Sequence, residues 1–232
     1  MNFKNLSLGT IFLALLATAA HVNAEIQSRG VDNNGNQIFY DSEQNITWYD
    51  YSHGFGTSSY SDELRWVENL VVSVGTSQIS NWRLPTSTGG PWSYGYDGTN
   101  TAGFNITSSE MGHLYYSSLR KIGAYDSSGS YRDPIDWLNI SYSPFRSIAP
   151  GMYFTSTPDP RQPDIKYFFY FYSGYQFAPA SQYGAYAIAV HDGDISPVPE
   201  PDQTSLFLVG ALILLAARAH LGAKQLHQGT AF

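Results

Sequence analysis

Two apolar runs near the ends of the chain decide how much of it is left to build a water-soluble core. Residues 6–20 are almost wholly apolar or small, with Lys4 before them and Val22-Asn23-Ala24 after. A positive start, a short apolar run and a small-residue site make the layout of a secretory signal peptide, cleaved between Ala24 and Glu25. The run is shorter than the roughly 20 residues a span needs, which favours cleavage over a permanent anchor. Near the other end, residues 206–217 are apolar and Arg218 follows. At about 1.5 Å per residue, residues 205–217 reach about 20 Å against a hydrocarbon layer of about 30 Å; continuing to residue 223 closes the gap, with Arg218 snorkelling toward headgroups. The expectation is a transmembrane helix over 205–223 and a short polar tail over 224–232. The alternative is a buried C-terminal helix of a soluble domain. Residues 25–195 remain for folding, followed by a proline-stiffened linker at 196–204.

That middle stretch is long enough for one sizeable core. Residues 25–197 carry seventeen acids and nine bases, a net charge of −8. Such a surface repels phosphate backbones, so no nucleic-acid partner is expected. Charged residues are 13% of the chain and aromatics 16%, so solubility must rest on Tyr, Ser, Asn and Gly. Cysteine is absent, which rules out disulfides, thiolate metal sites and cysteine nucleophiles in an exported domain.

Two helices are expected. Ser61 can cap the first, with Asp62 and Glu63 in its positive first turn; Leu64, Val67, Leu70, Val71 and Val74 recur at helical spacing up to Gly75. The second opens on the capping box Thr107-Ser108-Ser109-Glu110, continues through Met111, Leu114, Tyr115, Leu119 and Ile122, and meets Gly123. Strands are expected at 37–41, 45–49, 153–156, 165–172 and 185–190, where aromatic and branched residues gather. Residues 87–105 and 126–131 read as Gly- and Ser-rich loops. Helices early and strands late predict an α+β domain, single and compact, with a mostly antiparallel sheet.

Two resemblances attach to these residues. Pro199-Glu200-Pro201, the apolar run and then Arg218 resemble the PEP-CTERM sorting tail. That resemblance implies export by the Sec route, transient anchoring in the inner membrane of a Gram-negative bacterium, processing by an exosortase-type protease, and release to the cell surface or matrix. A lone Arg followed by a polar tail departs from the usual terminal basic cluster. Within the domain, Asn45-Ile46-Thr47-Trp48, then Trp82-Arg83-Leu84-Pro85-Thr86, Glu110, Tyr153-Phe154-Thr155-Ser156-Thr157 and residues 187–194 resemble a bacterial family named for the C-terminal domain of the collagen-like adhesin Lcl. The resemblance covers most of residues 30–194, and Trp-Arg-Leu-Pro-Thr is its most specific element. It implies a C-type-lectin-like fold and a role in surface binding or adhesion to glycans, with no catalytic residues.

Read physically, Trp82 and Leu84 belong in the core, Pro85 fixes the backbone, and Arg83 can stack on a ring or fork onto a carboxylate such as Glu110. Other chemistry is weakly marked. Asp32, Asn34, Asn36 and Glu43 have calcium-loop spacing, but Gln37 stands where the loop needs Gly, so a hairpin turn is expected. Asp192-Gly193-Asp194 reads as a turn. His53, His113 and His191 have no zinc spacing, and Asp133 with Asp136 read as solvated turn residues rather than a glycosidase pair. No catalytic residue, cofactor or metal is expected, and the chain is read as a non-enzyme. The remaining candidate is a sugar-stacking loop at Trp92, Tyr94 and Tyr96, set against an alternative in which these rings cover the domain's own core. A surface-binding module for extracellular polysaccharide is the leading reading. A structural matrix component without a ligand and a cryptic hydrolase are the rivals.

Overall fold

The computed structural model describes residues 26–181 and 183–195. The chain opens with a three-stranded antiparallel meander: β1 (Ile26–Val31), β2 (Gln37–Asp41) and the long β3 (Ile46–Ser58). Helix α1 (Tyr60–Glu68) follows, then a hairpin of β4 (Val72–Val74) and β5 (Ser77–Ile79). Two short strands, β6 (Tyr94–Gly95) and β7 (Ala102–Gly103), precede α2 (Glu110–His113), which runs into one π-helical turn (Leu114–Ser118). Helix α3 (Pro134–Trp137) is a single turn. Then come β8 (Met152–Asp159), β9 (Gln162–Tyr170), β10 (Tyr175–Phe177) and β11 (Ala185–Asp192).

Nine of these strands form one sheet in the order β1-β2-β3-β11-β8-β9-β10-β7-β6. Neighbours are antiparallel except β11 with β8 and β6 with β7, which are parallel. The last strand therefore lies in the middle of the sheet. Alternate residues of the central strands feed two cores. Phe39, Trp48, Tyr153, Phe169, Ile188 and Val190 pack on one face with Met111, Leu114 and Tyr115. Ile38, Tyr49, Phe154, Phe168 and Ala187 pack on the other with Val67 of α1, Trp82 and Leu84. A sheet covered on both faces explains why β8, β9 and β11 read as near-continuous apolar runs.

The expected α+β class is corrected by this architecture: among the described residues the fold is mostly β, with three short α-helices and one π-turn around a nine-stranded sheet. The C-type-lectin-like balance of helix and sheet does not hold either. The first helix stops at Asn69, which caps it by donating its N–H to Arg65 and Val67 carbonyls. Val74, expected on the helical stripe, instead joins Val72 in β4, because branched residues suit a strand and Gly75 turns back at φ 58°. The second helix loosens into the π-turn and ends where Arg120 adopts φ 51°, so Ile122 is not helical. Among the described residues no helix is long and apolar enough to cross a membrane. Residues 1–25 and 196–232, with the signal peptide, Ala24, Glu25, the Pro199-Glu200-Pro201 triplet, Arg218 and the expected span at 205–223, lie outside the described residues.

Candidate functional site

The Trp82-Arg83-Leu84-Pro85 segment crosses from the β4–β5 hairpin to the sheet. Arg83 exchanges both backbone hydrogen bonds with Val190 of β11, each 2.9 Å. Trp82 and Leu84, on either side, are buried, and the Trp82 indole N–H donates to the Ile79 carbonyl at 3.0 Å. The Arg83 guanidinium forks onto Glu110, with Nη1 to Oε2 at 2.9 Å and Nη2 to Oε1 at 2.7 Å, and also reaches Asp192 at 2.6 Å. Glu110 Oε2 accepts the Thr86 N–H as well. Hydrogen bonding to Glu110 raises the Arg83 pKa against the opposing effect of burial, while Arg83 holds the Asp192 carboxyl low. This network bolts the start of α2 to the end of β11, and Pro85 continues it by accepting the Ser156 N–H. Trp48 is fully buried in the first core.

Trp92, Tyr94 and Tyr96 do not form one platform. Arg161, ion-paired to Asp159 at 2.6 Å, lays its guanidinium 4.1 Å from the Trp92 ring centre, so one indole face is already occupied. Tyr94 and Tyr96 meet edge to face at 5.4 Å and join a separate aromatic cluster with Phe104, Tyr125 and Tyr175. Burial raises the Tyr94 pKa, and the hydrogen bond to Tyr96 adds to this.

Of the calcium-spaced residues, Asp32, Asn34 and Asn36 form the β1–β2 hairpin turn, while Glu43 lies in the next turn, between β2 and β3, where it meets His113. Asp32 accepts the N–H groups of Asn34 and Asn36, each at 2.8 Å, and the Tyr49 hydroxyl at 2.6 Å. Burial would raise its pKa, but the Tyr49 and Asn36 bonds outweigh this and hold it low. Asp133 caps α3 by accepting the Ile135 N–H, and Asp136 is exposed in the first turn. Among the described residues no group of three His, Asp or Glu side chains could hold a metal ion.

A better-formed site lies where that turn meets α1. On β3, Tyr49, Tyr51 and His53 project from the same face, as every second residue must. Tyr49, Tyr51, Trp66, Leu70, Asn34 and Asn36 line an open groove of about 430 Å³. Tyr51 is exposed, and its ring centre is 6.2 Å from that of Trp66. Trp66 is oriented from one side by His53, stacked at 4.5 Å and 5°. His53 Nδ1 in turn lies 2.7 Å from Oε2 of Glu63, whose side chain is fully buried. Asn36 gives both amide hydrogens, to Asp32 and to the Tyr49 hydroxyl, at 3.0 and 2.8 Å. Its carbonyl oxygen is thereby fixed as an acceptor at the groove. Sequence reading passed over this groove because its parts are 30 residues apart and each looked ordinary alone. The alternation Tyr49-Tyr51-His53 was the available signal.

No protein-family model, no curated protein and no solved structure matches the chain.

Proposed function

We propose that the chain is an exported envelope or biofilm-matrix protein whose domain is a non-catalytic glycan-binding module, akin to the Lcl C-terminal family. In this reading an exosortase-type protease sorts it through the PEP-CTERM-like tail after Sec export and transient inner-membrane anchoring. The observation that carries the binding role is the groove of Tyr51 and Trp66 beside Asn34 and Asn36. Aromatic faces suit the apolar faces of a sugar ring, and fixed amides suit its hydroxyl rim. The groove is preferred to the Trp92 loop because Tyr51 and Trp66 border one cavity with Asn34 and Asn36, whereas Trp92 stands apart from the Tyr94 and Tyr96 cluster.

The test is a glycan array, including exopolysaccharide of the source bacterium, with the purified protein and its Tyr51→Ala, Asn34→Ala variant. Both residues are at the surface, so the fold should persist. Saturable binding weakened at least about tenfold in the variant is expected. Binding lost instead with Trp92→Ala, Tyr94→Ala would move the site to that loop. Failure to bind any glycan would overturn the reading.

A further inference from the structure

The opposite face of the sheet carries a groove of different chemistry. It is bordered by the segment after the π-turn and by α3 with the residues that follow, and it holds about 340 Å³. Arg120, Lys121, Asp136, Trp137, Ser141 and Ser143 line it. In a domain this acidic, most arginines with partners sit on carboxylates: Arg29 on Asp194, Arg65 on Asp62, Arg83 on Glu110, Arg161 on Asp159. Among the described residues, no carboxylate ion-pairs with Arg120 or Lys121. The Lys121 ammonium donates to the carbonyls of Asn139 at 2.5 Å and Ser141 at 2.9 Å and lies 5.3 Å from the Tyr142 ring centre, so its third hydrogen has only that ring beside it. Burial lowers its pKa and no anion offsets that.

Two further donors or constraints coincide here. Trp137 is only 7% exposed, and its indole N–H is buried with no acceptor among the described residues. A buried donor left unmade costs about 1–3 kcal/mol, so such groups are rare unless something satisfies them. Arg120 is held in the left-handed region at φ 51°, uncommon for a non-glycine residue, and this sets where its exposed side chain departs. Asp136 stands on the same rim, so two positive charges face one negative charge.

From this we infer that the groove binds a single carboxylate or sulfate group of an extracellular ligand, seated between Lys121 and Arg120 and beside the buried Trp137 indole. The net single positive charge matches a monoanion better than a polyanion. Ser141 and Ser143 complete the lining of the groove. This site does not depend on the glycan groove, from which the sheet separates it.

The test follows the Trp137 indole N–H resonance of the full-length chain, assigned with Trp137→Phe, during titration with glucuronate, acetate, inorganic sulfate and glucose. A saturable shift with the anions and none with glucose is expected. Glucuronate binding more tightly than acetate would assign the group to an acidic sugar; equal binding would assign it to a free anion. Loss of a charged hydrogen bond in Lys121→Gln should weaken binding about tenfold or more. Because Lys121 also ties two carbonyls, Arg120→Gln gives a second reading at the surface. Asp136→Asn should tighten binding about fivefold, by removing a like charge near contact distance in water. No shift with any anion, an equal shift with glucose, or affinities unchanged in Arg120→Gln and Asp136→Asn would overturn the assignment.

Discussion

Replacing His53 by Ala tests the pair that orients Trp66. Glu63 is fully buried at the α1–β3 junction, and Oε1 has no hydrogen-bond partner among the described residues. His53 is therefore what compensates the carboxylate. Removing one member of a buried pair costs about 3–5 kcal/mol, because the other charge is left stranded. His53 is 33% exposed, so water can reach the gap, and the low end, about 3 kcal/mol, is expected. About 1 kcal/mol of that belongs to the lost stack on Trp66. In a Glu63→Gln background the charge is absent, and His53→Ala should cost only the stacking part. The coupling between the two sites is then about 2 kcal/mol. Thermal and urea unfolding of the four proteins measures it. For a domain of this size, His53→Ala should lower Tm by about 6–12 °C. A coupling within about 0.5 kcal/mol of zero would refute the reasoning and make His53 a packing residue only.

Two other outcomes are specific enough to check. Burial would raise the Asp41 pKa, but His113, Gln44 and Ser118 hold it down to about 2, so its contribution is present above an unfolded value of about 3.9 and is lost as pH falls through 2. Asp41, 3.7 Å from His113 Nδ1 and so an ion-pair contact rather than a good hydrogen bond, raises the His113 pKa; burial opposes this and Glu43 at 2.8 Å assists. That part is complete below about pH 6.5 and is lost as pH rises through the higher folded value, so His113→Gln should flatten the alkaline limb of a urea-midpoint profile while leaving much of the acid limb. Gly103→Ala should be among the most damaging glycine changes: its Cβ would fall 1.7 Å from the Gly95 carbonyl oxygen, at φ 122°. A loss of at least about 2 kcal/mol in urea unfolding is expected.

Strands carried by their own side chains were legible in the sequence. The 37–41 segment is β2 residue for residue, and those expected at 153–156 and 185–190 lie within β8 and β11. The pairing of Arg83 with Glu110 could also be read, since a fork needs a carboxylate and Glu110 opens the next helix. Helix lengths could not. The apolar spacing that suggested helix through Val74 serves equally to bury Val72 from a short hairpin, and only tertiary packing decides. The short strands β6, β7 and β10 have no pattern of their own, because two or three residues show no period. The groove beside Tyr51 and Trp66 is likewise a product of register: Asn36 comes to Tyr49 only because β2 and β3 pair as they do.

The place of β11 has a consequence for how the chain matures. β1, β2 and β3 can pair as soon as residue 58 is available, but the other edge of β3 stays open until residues 185–192 arrive. A chain threaded across a membrane from its N-terminus would display that edge for most of its passage. Closing it joins segments more than a hundred residues apart, a slow step that leaves the open edge prone to wrong partners. If the chain is exported as proposed, its folding should depend on holding factors beyond the membrane far more than its final stability would suggest.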